Sequence, residues 1–249
     1  MRPRADDPGA QARVKVDPPS PAPEPVGRAL AVIPAYNEAP RIADIIRRTR
    51  CVVEDVLVVD DASTDDTAAV AADAGALVLH NGPPNHGKGY ALRTGFAFAL
   101  AEGYDAVVTL DADGQHPPEL IPRFLERLAE GCDLVYGNRL GNLSTMPAAR
   151  VFSNRTTTAL VSLLAGVRLC DSQCGMRAMR SWVPAECPTR SDHFAAESEQ
   201  LILAGRRGGR LAPVTIPTLY FAGSASKMNV ALDTLRFAAV WFGWLFRIW

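Results

Sequence analysis

The chain has 249 residues, 48% of them hydrophobic and 21% charged, which describes an ordinary globular protein with room for one large α/β domain or two small ones. A formal net charge of -1 argues against a nucleic-acid binder held by a broad basic excess. Five cysteines (Cys51, Cys132, Cys170, Cys174, Cys187) are an odd number and lack the spacing of a disulfide framework or zinc site, so a reducing compartment is expected.

Residues 1–28 carry seven prolines and almost nothing large and apolar, which predicts a disordered tail. The start of the chain has no apolar core of the signal-peptide kind. No stretch reaches the roughly 20 apolar residues that span a bilayer, so the expected location is cytoplasmic, or peripheral at the inner face of the membrane. Five short Val/Leu-rich runs follow the tail: ALAVIP (29–34), VLVVD (56–60), ALVLH from residue 76, AVVTL (106–110) and DLVYG (133–137). They read as buried parallel strands.

Helical segments lie between them. These are residues 38–50, DDTAAVAADAG with Ser63 or Thr64 as N-cap and Gly75 as stop, residues 88–102, and PPELIPRFLERLAEG ending at Gly131. Alternation of this kind over about 110 residues predicts a doubly wound, mostly parallel sheet with its ligands at the carboxyl ends of the strands. From about residue 145 the pattern changes to a long helix (148–168), an irregular Cys-rich loop, a helix over 195–207, a strand in LAPVTIPTLY and an aromatic C-terminal segment.

Polar clusters stand at those strand ends. In VVTLDADGQHPPEL, period-two alternation turns Asp111 and Asp113 the same way, an unfavourable pairing unless a cation lies between or beside them. Mg2+ or Mn2+ fits two such carboxylates, and Gln115 adds an amide oxygen if the extended geometry continues. The alternative is a solvated Asp-Gly turn. In NGPPNHGKGYAL, Gly82, Gly87 and Lys88 imitate a phosphate loop, but Gly89 lacks the hydroxyl that binds magnesium, which rules out an NTPase. Lys88 is then either a cationic neighbour of a diphosphate or a solvated lysine at a helix start. In IPAYNE and VDDASTD, Tyr36 can flank a base, while Glu38 and Asp61 can accept from ribose hydroxyls or a base N–H.

IPAYNE, VVDDASTDDT, GKGYALRTGF, LDADGQHPPE, YGNR and DSQCGMRAM, in this order over about residues 29–236, resemble the inverting family-2 glycosyltransferases with the GT-A fold, in particular the polyprenyl-phosphate sugar synthases. The resemblance implies a single Rossmann-like domain, with a nucleotide-binding half (29–140), an acceptor half (141–228) and a C-terminal aromatic helix (229–249). It implies that Pro34, Ala35, Tyr36, Glu38 and Asp61 surround the nucleoside of a GDP- or UDP-hexose. Asp111, Ala112, Asp113 and Gln115 then form the metal and diphosphate turn, Asp111, Asp113 and Gln115 holding Mg2+ or Mn2+. Arg139 belongs by the same likeness to the sugar-phosphate region, and Lys88 joins the nucleotide-sugar site as the cationic neighbour of the diphosphate that its loop suggests. Lys227 matches a lysine of a loop that closes over the diphosphate, although the preceding AGSAS departs from the charged or glycine-rich pattern. Arg139, Arg150 and Ser153 fall near the phosphate of a polyprenyl-phosphate acceptor.

The implied reaction moves mannose or glucose onto that lipid phosphate, with Asp113 in the catalytic turn. A phosphate monoester is already anionic and needs no protein base. Asp171 is the candidate base if there is one; otherwise it holds Arg177 or caps a helix. Glu197 and Glu199 raise the same choice between chemistry and a structural or arginine-pairing role. Cys170 and Cys174 read as buried thiols, and His80, His86, His116 and His193 as loop or supporting residues. FAAVWFGWLFRIW places Phe237, Trp241, Trp244, Leu245, Ile248 and Trp249 on one helical face, suited either to a membrane interface or to the core, and the apolar run at 159–167 offers a second such surface. The competing functions are a transferase with a soluble sugar or phosphorylated acceptor, and a sugar-nucleotide binder without catalysis.

Overall fold

The computed structural model describes residues 25–140, 148–193 and 195–217. Along the chain run β1 (Ala29–Ala35), α1 (Ala39–Arg50), β2 (Asp55–Asp61), α2 (Thr67–Asp73), β3 (Leu77–Asn81), α3 (Lys88–Ala101), β4 (Ala106–Thr109), α4 (Ile121–Ala129), β5 (Leu134–Asn138), α5 (Ala148–Ala165), β6 (Arg177–Arg180), α6 (Trp182–Glu186), α7 (Ala195–Arg206) and β7 (Leu211–Thr215). The strands form one sheet in the order β3-β2-β1-β4-β6-β5-β7. All are parallel except β6, which runs antiparallel between β4 and β5.

Side chains alternate across this sheet with period two, and each set finds its own helices. Ala31, Ile33, Val56, Val58, Val108 and Val135 pack with Ile42, Ile45 and Ile46 of α1 and Ile121, Phe124 and Leu128 of α4. Leu30, Val32, Leu57, Val59, Val107 and Leu134 pack with Leu92 and Phe96 of α3, Val161 and Leu164 of α5, and Leu201 and Ile202 of α7. Burial on both faces explains why the central strands read as unbroken apolar runs.

The two loops that open the sheet at its carboxyl end are stitched together. Asn37 N–H donates to Ser63 Oγ (2.9 Å), Thr64 N–H to Asn37 Oδ1 (2.8 Å) and Glu38 N–H to Thr67 Oγ1 (2.8 Å). Ser63 and Thr64 are therefore spent on the neighbouring loop and do not cap α2, as their position before the helix leads one to expect. The helix starts after Asp66, and Asp65 accepts the Thr67 N–H instead (3.0 Å).

Three further features depart from the sequence pattern. The Cys-rich loop contains a strand, β6, which is only four residues long and begins and ends with arginine, so it carries no periodic signal. The helix expected from Pro117 begins as a 3-10 turn (Pro118–Leu120) and becomes α-helical at Ile121, next to Pro122. At the N-terminal edge, Arg28 N–H donates to Asp105 Oδ2 (2.7 Å) and its guanidinium lies 4.3 Å from the Tyr104 ring centroid, so the chain is anchored one residue before β1. Residues 1–24 of the proline-rich segment and residues 218–249, including the aromatic C-terminal stretch, lie outside the described residues.

Gly95 sets how closely α3 approaches the sheet: an added Cβ would stand 2.4 Å from Val32 Cγ1. In an exposed helix Gly→Ala stabilises by about 1 kcal/mol. Here overpacking against a branched core side chain costs about 1–3 kcal/mol and outweighs that gain. Gly95→Ala is expected to lower the stability measured by urea unfolding; a variant more stable than the native chain would contradict this packing.

Candidate active site

The carboxyl ends of β1, β2, β4 and β5 converge on one polar region. Pro34 and Ala35 end β1 in register with Val59 and Asp60, and Tyr36, about one-third exposed, follows them. Glu38 is buried with Oε2 3.6 Å from Arg41 Nη1. Asp61 is also buried: it accepts from Gly87 N–H (2.6 Å) and Asn81 Nδ2 (3.0 Å), while its carbonyl accepts from Asn85 Nδ2 (2.9 Å). Asp61 thus anchors the loop that delivers Lys88.

Lys88, the first residue of α3, is not solvated. Its ammonium contacts Asp111 directly and lies 3.0 Å from Glu197 Oε1 on α7. Burial works to lower its pKa, but the charges of Asp111 and Glu197 prevail and hold it above the ordinary lysine value. The Gly175 backbone passes so close that a Cβ there would lie 2.5 Å from Asp111 Oδ2 and 2.7 Å from Lys88 Nζ. Thr109 Oγ1 fixes that backbone by donating to the Gly175 carbonyl (2.8 Å). Glu197 therefore pairs with a lysine, whereas Glu199 accepts the N–H groups of Arg190 and Ser191 (2.9 and 3.0 Å) and holds a turn.

The two aspartates do come together, although β4 ends at Thr109 and Ala112 and Asp113 already lie in a turn. Burial would raise Asp111; Lys88 foremost, then His116, reverses this and brings it to about 2. Asp113 is pushed up, first by burial and then by the charge of Asp111. Among the described residues its only hydrogen bond is from Gln115 N–H (2.9 Å), and it has no ion pair. The turn at Ala112 and Asp113 and the φ of +78° at Gly114 break the extended geometry, so Gln115 does not continue the alternation that would align it with the aspartates.

An ionised carboxylate beside a partly buried one without a basic partner is a place where a hard cation lowers the free energy of both. Among the described residues no cluster of three or more His, Cys, Asp or Glu side chains is built to hold a metal. Two carboxylates then leave several positions to phosphate oxygens and water, a donor set suited to Mg2+ or Mn2+.

His116 is a supporting residue that its sequence position marks weakly. It is buried, with Nδ1 3.6 Å from Asp111 Oδ2 and Nε2 3.7 Å from Cys174 Sγ. Burial opposes its protonation, but Cys174 and Asp111 raise its pKa to about 9. Of the two cysteines expected to be buried, only Cys174 is; Cys170 is exposed where the chain leaves α5, its N–H donating to Tyr136 Oη (3.1 Å).

Asp171 is fully committed. It accepts from Arg139 Nε (2.9 Å), Arg139 Nη2 (3.1 Å), Arg139 N (3.2 Å) and Gln173 N (2.9 Å), and has no exposed surface. Burial would raise its pKa, but the Arg139 hydrogen bonds and charge hold it below the usual carboxylate range. A carboxylate so saturated is a poor proton acceptor, so its place is that of a positioning residue for Arg139 and not a base. Nor does it hold Arg177, which donates to the carbonyls of Cys174 (3.1 Å), Ser172 (3.1 Å) and Glu197 and ties the 172–174 loop to α7. Ser153 is exposed on α5; Lys227 and the side chain of Arg150 lie outside the described residues.

The glycosyl transferase family 2 domain matches residues 30–183, which include all of β1 but its first residue, both aspartates, Arg139 and Asp171. The chain belongs to glycosyl transferase family 2. It is 38% identical over 164 residues to the undecaprenyl-phosphate mannosyltransferase of Micrococcus luteus, covering 62% of this chain and 67% of that one. It is 35% identical over 166 residues to the polyprenol monophosphomannose synthase of Mycolicibacterium smegmatis, covering 63% of each. Glucosyl-3-phosphoglycerate synthase from Mycobacterium tuberculosis, solved with Mn2+, UDP and phosphoglyceric acid, superposes with a TM-score of 0.65 at 25% identity, covering 88% of this chain and 77% of that one. The family-2 chain accordingly has the GT-A architecture that its motifs led us to expect.

Removing Arg139 strands the buried Asp171 charge. Arg139→Met is expected to lose about 3–5 kcal/mol of stability at neutral pH. The native Asp171 has a lowered pKa, so its contribution is present above about pH 4, the ordinary carboxyl value, and lost as pH falls through the folded value. In the variant, burial without Arg139 pushes Asp171 above the ordinary carboxyl value, so the gap between native and variant should begin to shrink above about pH 4 and narrow further below it. Denaturant unfolding at several pH values checks this, and a gap that stays constant would contradict it.

Proposed function

We propose that this family-2 enzyme transfers a hexose, mannose or glucose, from GDP- or UDP-sugar to polyprenyl phosphate at the cytoplasmic membrane face, with Mg2+ or Mn2+. The observation that carries the metal-dependent donor site is Asp113: a carboxylate without an ion pair, raised by burial and by its neighbour Asp111, at the carboxyl end of the central strands. The lipid acceptor is supported by the names of the two relatives described above.

Asp111 and Asp113 would hold the metal, which when bound offsets the charge gathering on the diphosphate. Lys88 keeps Asp111 ionised and in place, and Arg139, fixed by Asp171, supplies a second positive charge at the sugar-phosphate side. Tyr36, Glu38 and Asp61, with Pro34 and Ala35, form the wall on which the nucleoside rests. An oxygen of the acceptor phosphate attacks the anomeric carbon from the face opposite the diphosphate; the carbon–oxygen bond to the diphosphate breaks, and the nucleoside diphosphate leaves with that electron pair. No proton has to be removed from a phosphate monoester already ionised at neutral pH, which agrees with the commitment of Asp171 to Arg139. No helix among the described residues is long and apolar enough to cross a membrane.

A soluble phosphorylated acceptor is the second reading, favoured by the superposition on a synthase solved with phosphoglyceric acid. Incubation of labelled donor, Mn2+ and polyprenyl phosphate followed by organic extraction separates the two. We expect label in the organic phase, its loss on chelation and its return with Mn2+. Asp113→Ala should reduce turnover by about 10²–10³-fold, several kcal/mol of charge stabilisation. Label confined to the aqueous phase would overturn the lipid acceptor, and near-native turnover by Asp113→Ala would overturn the metal site.

A further inference from the structure

Beside the acidic site, where α5 meets the segment leading into Asp171, lies an open groove of about 320 Å³. Leu140, Arg155, Thr158, Ser162, Arg168 and Cys170 line it. Its two hydroxyls are engaged internally: Ser162 Oγ donates to the Thr158 carbonyl (2.7 Å) and accepts from Leu169 N–H (3.0 Å), and Thr158 Oγ1 meets Ser172 Oγ (3.2 Å) and Ser172 N–H (3.0 Å). The two arginines are different. Both are exposed, and among the described residues neither guanidinium has a hydrogen-bond or ion-pair partner. Among the described residues no carboxylate lines the groove, and the neighbouring Asp171 is saturated by Arg139. What remains uncompensated is positive charge in the planar, forked form that matches phosphate oxygens.

An apolar stripe borders this groove. Phe152 and Leu163 on α5 are 75% and 76% exposed. They are eleven residues apart, about three helical turns and roughly 16 Å along the axis, so they share one face, with Ala159 between them. Ala159 itself lines the groove, which joins the stripe to the arginines. Unpaired arginines next to large exposed apolar side chains on one helix face match a membrane boundary, where headgroup phosphates lie above acyl chains. A soluble phosphate would satisfy the arginines and leave Phe152 and Leu163 in water.

We infer that the α5 groove is a membrane-docking site: Arg155 and Arg168 bind the phosphate of an anionic phospholipid, while Phe152 and Leu163 enter the acyl boundary. Leu140 and Cys170 adjoin Arg139 and Asp171 in the chain, so docking here brings the Arg139 side of the active site to the lipid surface. The inference extends the membrane-surface reading above and rests on it for its purpose, but its test does not depend on turnover.

Flotation of the full chain with phosphatidylcholine vesicles, with and without phosphatidylglycerol, is the experiment. Binding to the anionic vesicles is expected to fall about tenfold or more in Arg155→Gln/Arg168→Gln. Arg47→Gln/Arg50→Gln, an equal charge change on α1 across the sheet, should keep native binding, and Phe152→Ser/Leu163→Ser should lose binding to both vesicle types. A nucleotide–Mn2+ thermal shift like that of the native chain checks that the variants fold. Native-like flotation of Arg155→Gln/Arg168→Gln, equal losses in both arginine pairs, or no binding by the native chain would overturn the site. Binding of glycerol phosphate by the native chain with no flotation on anionic vesicles would assign the groove to a soluble phosphoester and overturn the lipid assignment. A chain that floats as described but transfers no sugar would refute only the proposed reaction.

Discussion

The ion pair between Lys88 and Asp111 organises the site. It forms where the start of α3 meets the end of β4, and it is completed by Glu197 from α7 and crowded by the Gly175 backbone. One lysine spread over two carboxylates keeps Asp111 ionised in a partly buried place and leaves Asp113 facing that charge without a basic partner. In the proposed reaction this imbalance is what a divalent ion and a diphosphate would relieve, and the other features of the site sustain it. The loop carrying Lys88 is pinned by Asp61, the loops after β1 and β2 are tied by Asn37 and Ser63, and β6 brings Arg177 to fasten the 172–174 loop to α7.

A second pair, Arg139 with Asp171, does different work. Three hydrogen bonds to one fully buried carboxylate, itself held by Gln173 N–H, fix the arginine that follows β5, and with it a permanent positive charge whose field reaches Asp111. The same saturation argues against Asp171 as a proton acceptor and fits an acceptor that arrives ionised. The protein's contribution to the proposed reaction is then placement of charge, without a proton relay.

The parallel strands and the polar residues at their ends were legible in the sequence because burial on both faces leaves unbroken Val/Leu runs, and because a reversal such as DADG stands out after one. Lys88 was readable as a cation near the site but not as the partner of Asp111, since that contact spans 23 residues of chain and depends on Asp61 and Gly175. β6 escaped notice because four residues flanked by arginines have no period to detect. The saturation of Asp171 was hidden because its partner lies 32 residues away in YGNR. Cys174 and Glu197 are long-range neighbours of the aspartate turn and His116 follows it directly, but nothing in their local sequence distinguishes them from supporting residues elsewhere.

The account turns on Asp113 lacking a counter-charge that a divalent ion supplies. Titration of Mn2+ followed by electron paramagnetic resonance, with GDP or UDP present, compares the native chain with Asp113→Asn directly. The account predicts one nucleotide-dependent Mn2+ site in the native chain and an affinity about 100-fold or more lower in the variant, the scale expected when one of two protein ligands to a hard cation loses its charge. Equal Mn2+ affinity in the two proteins would contradict it.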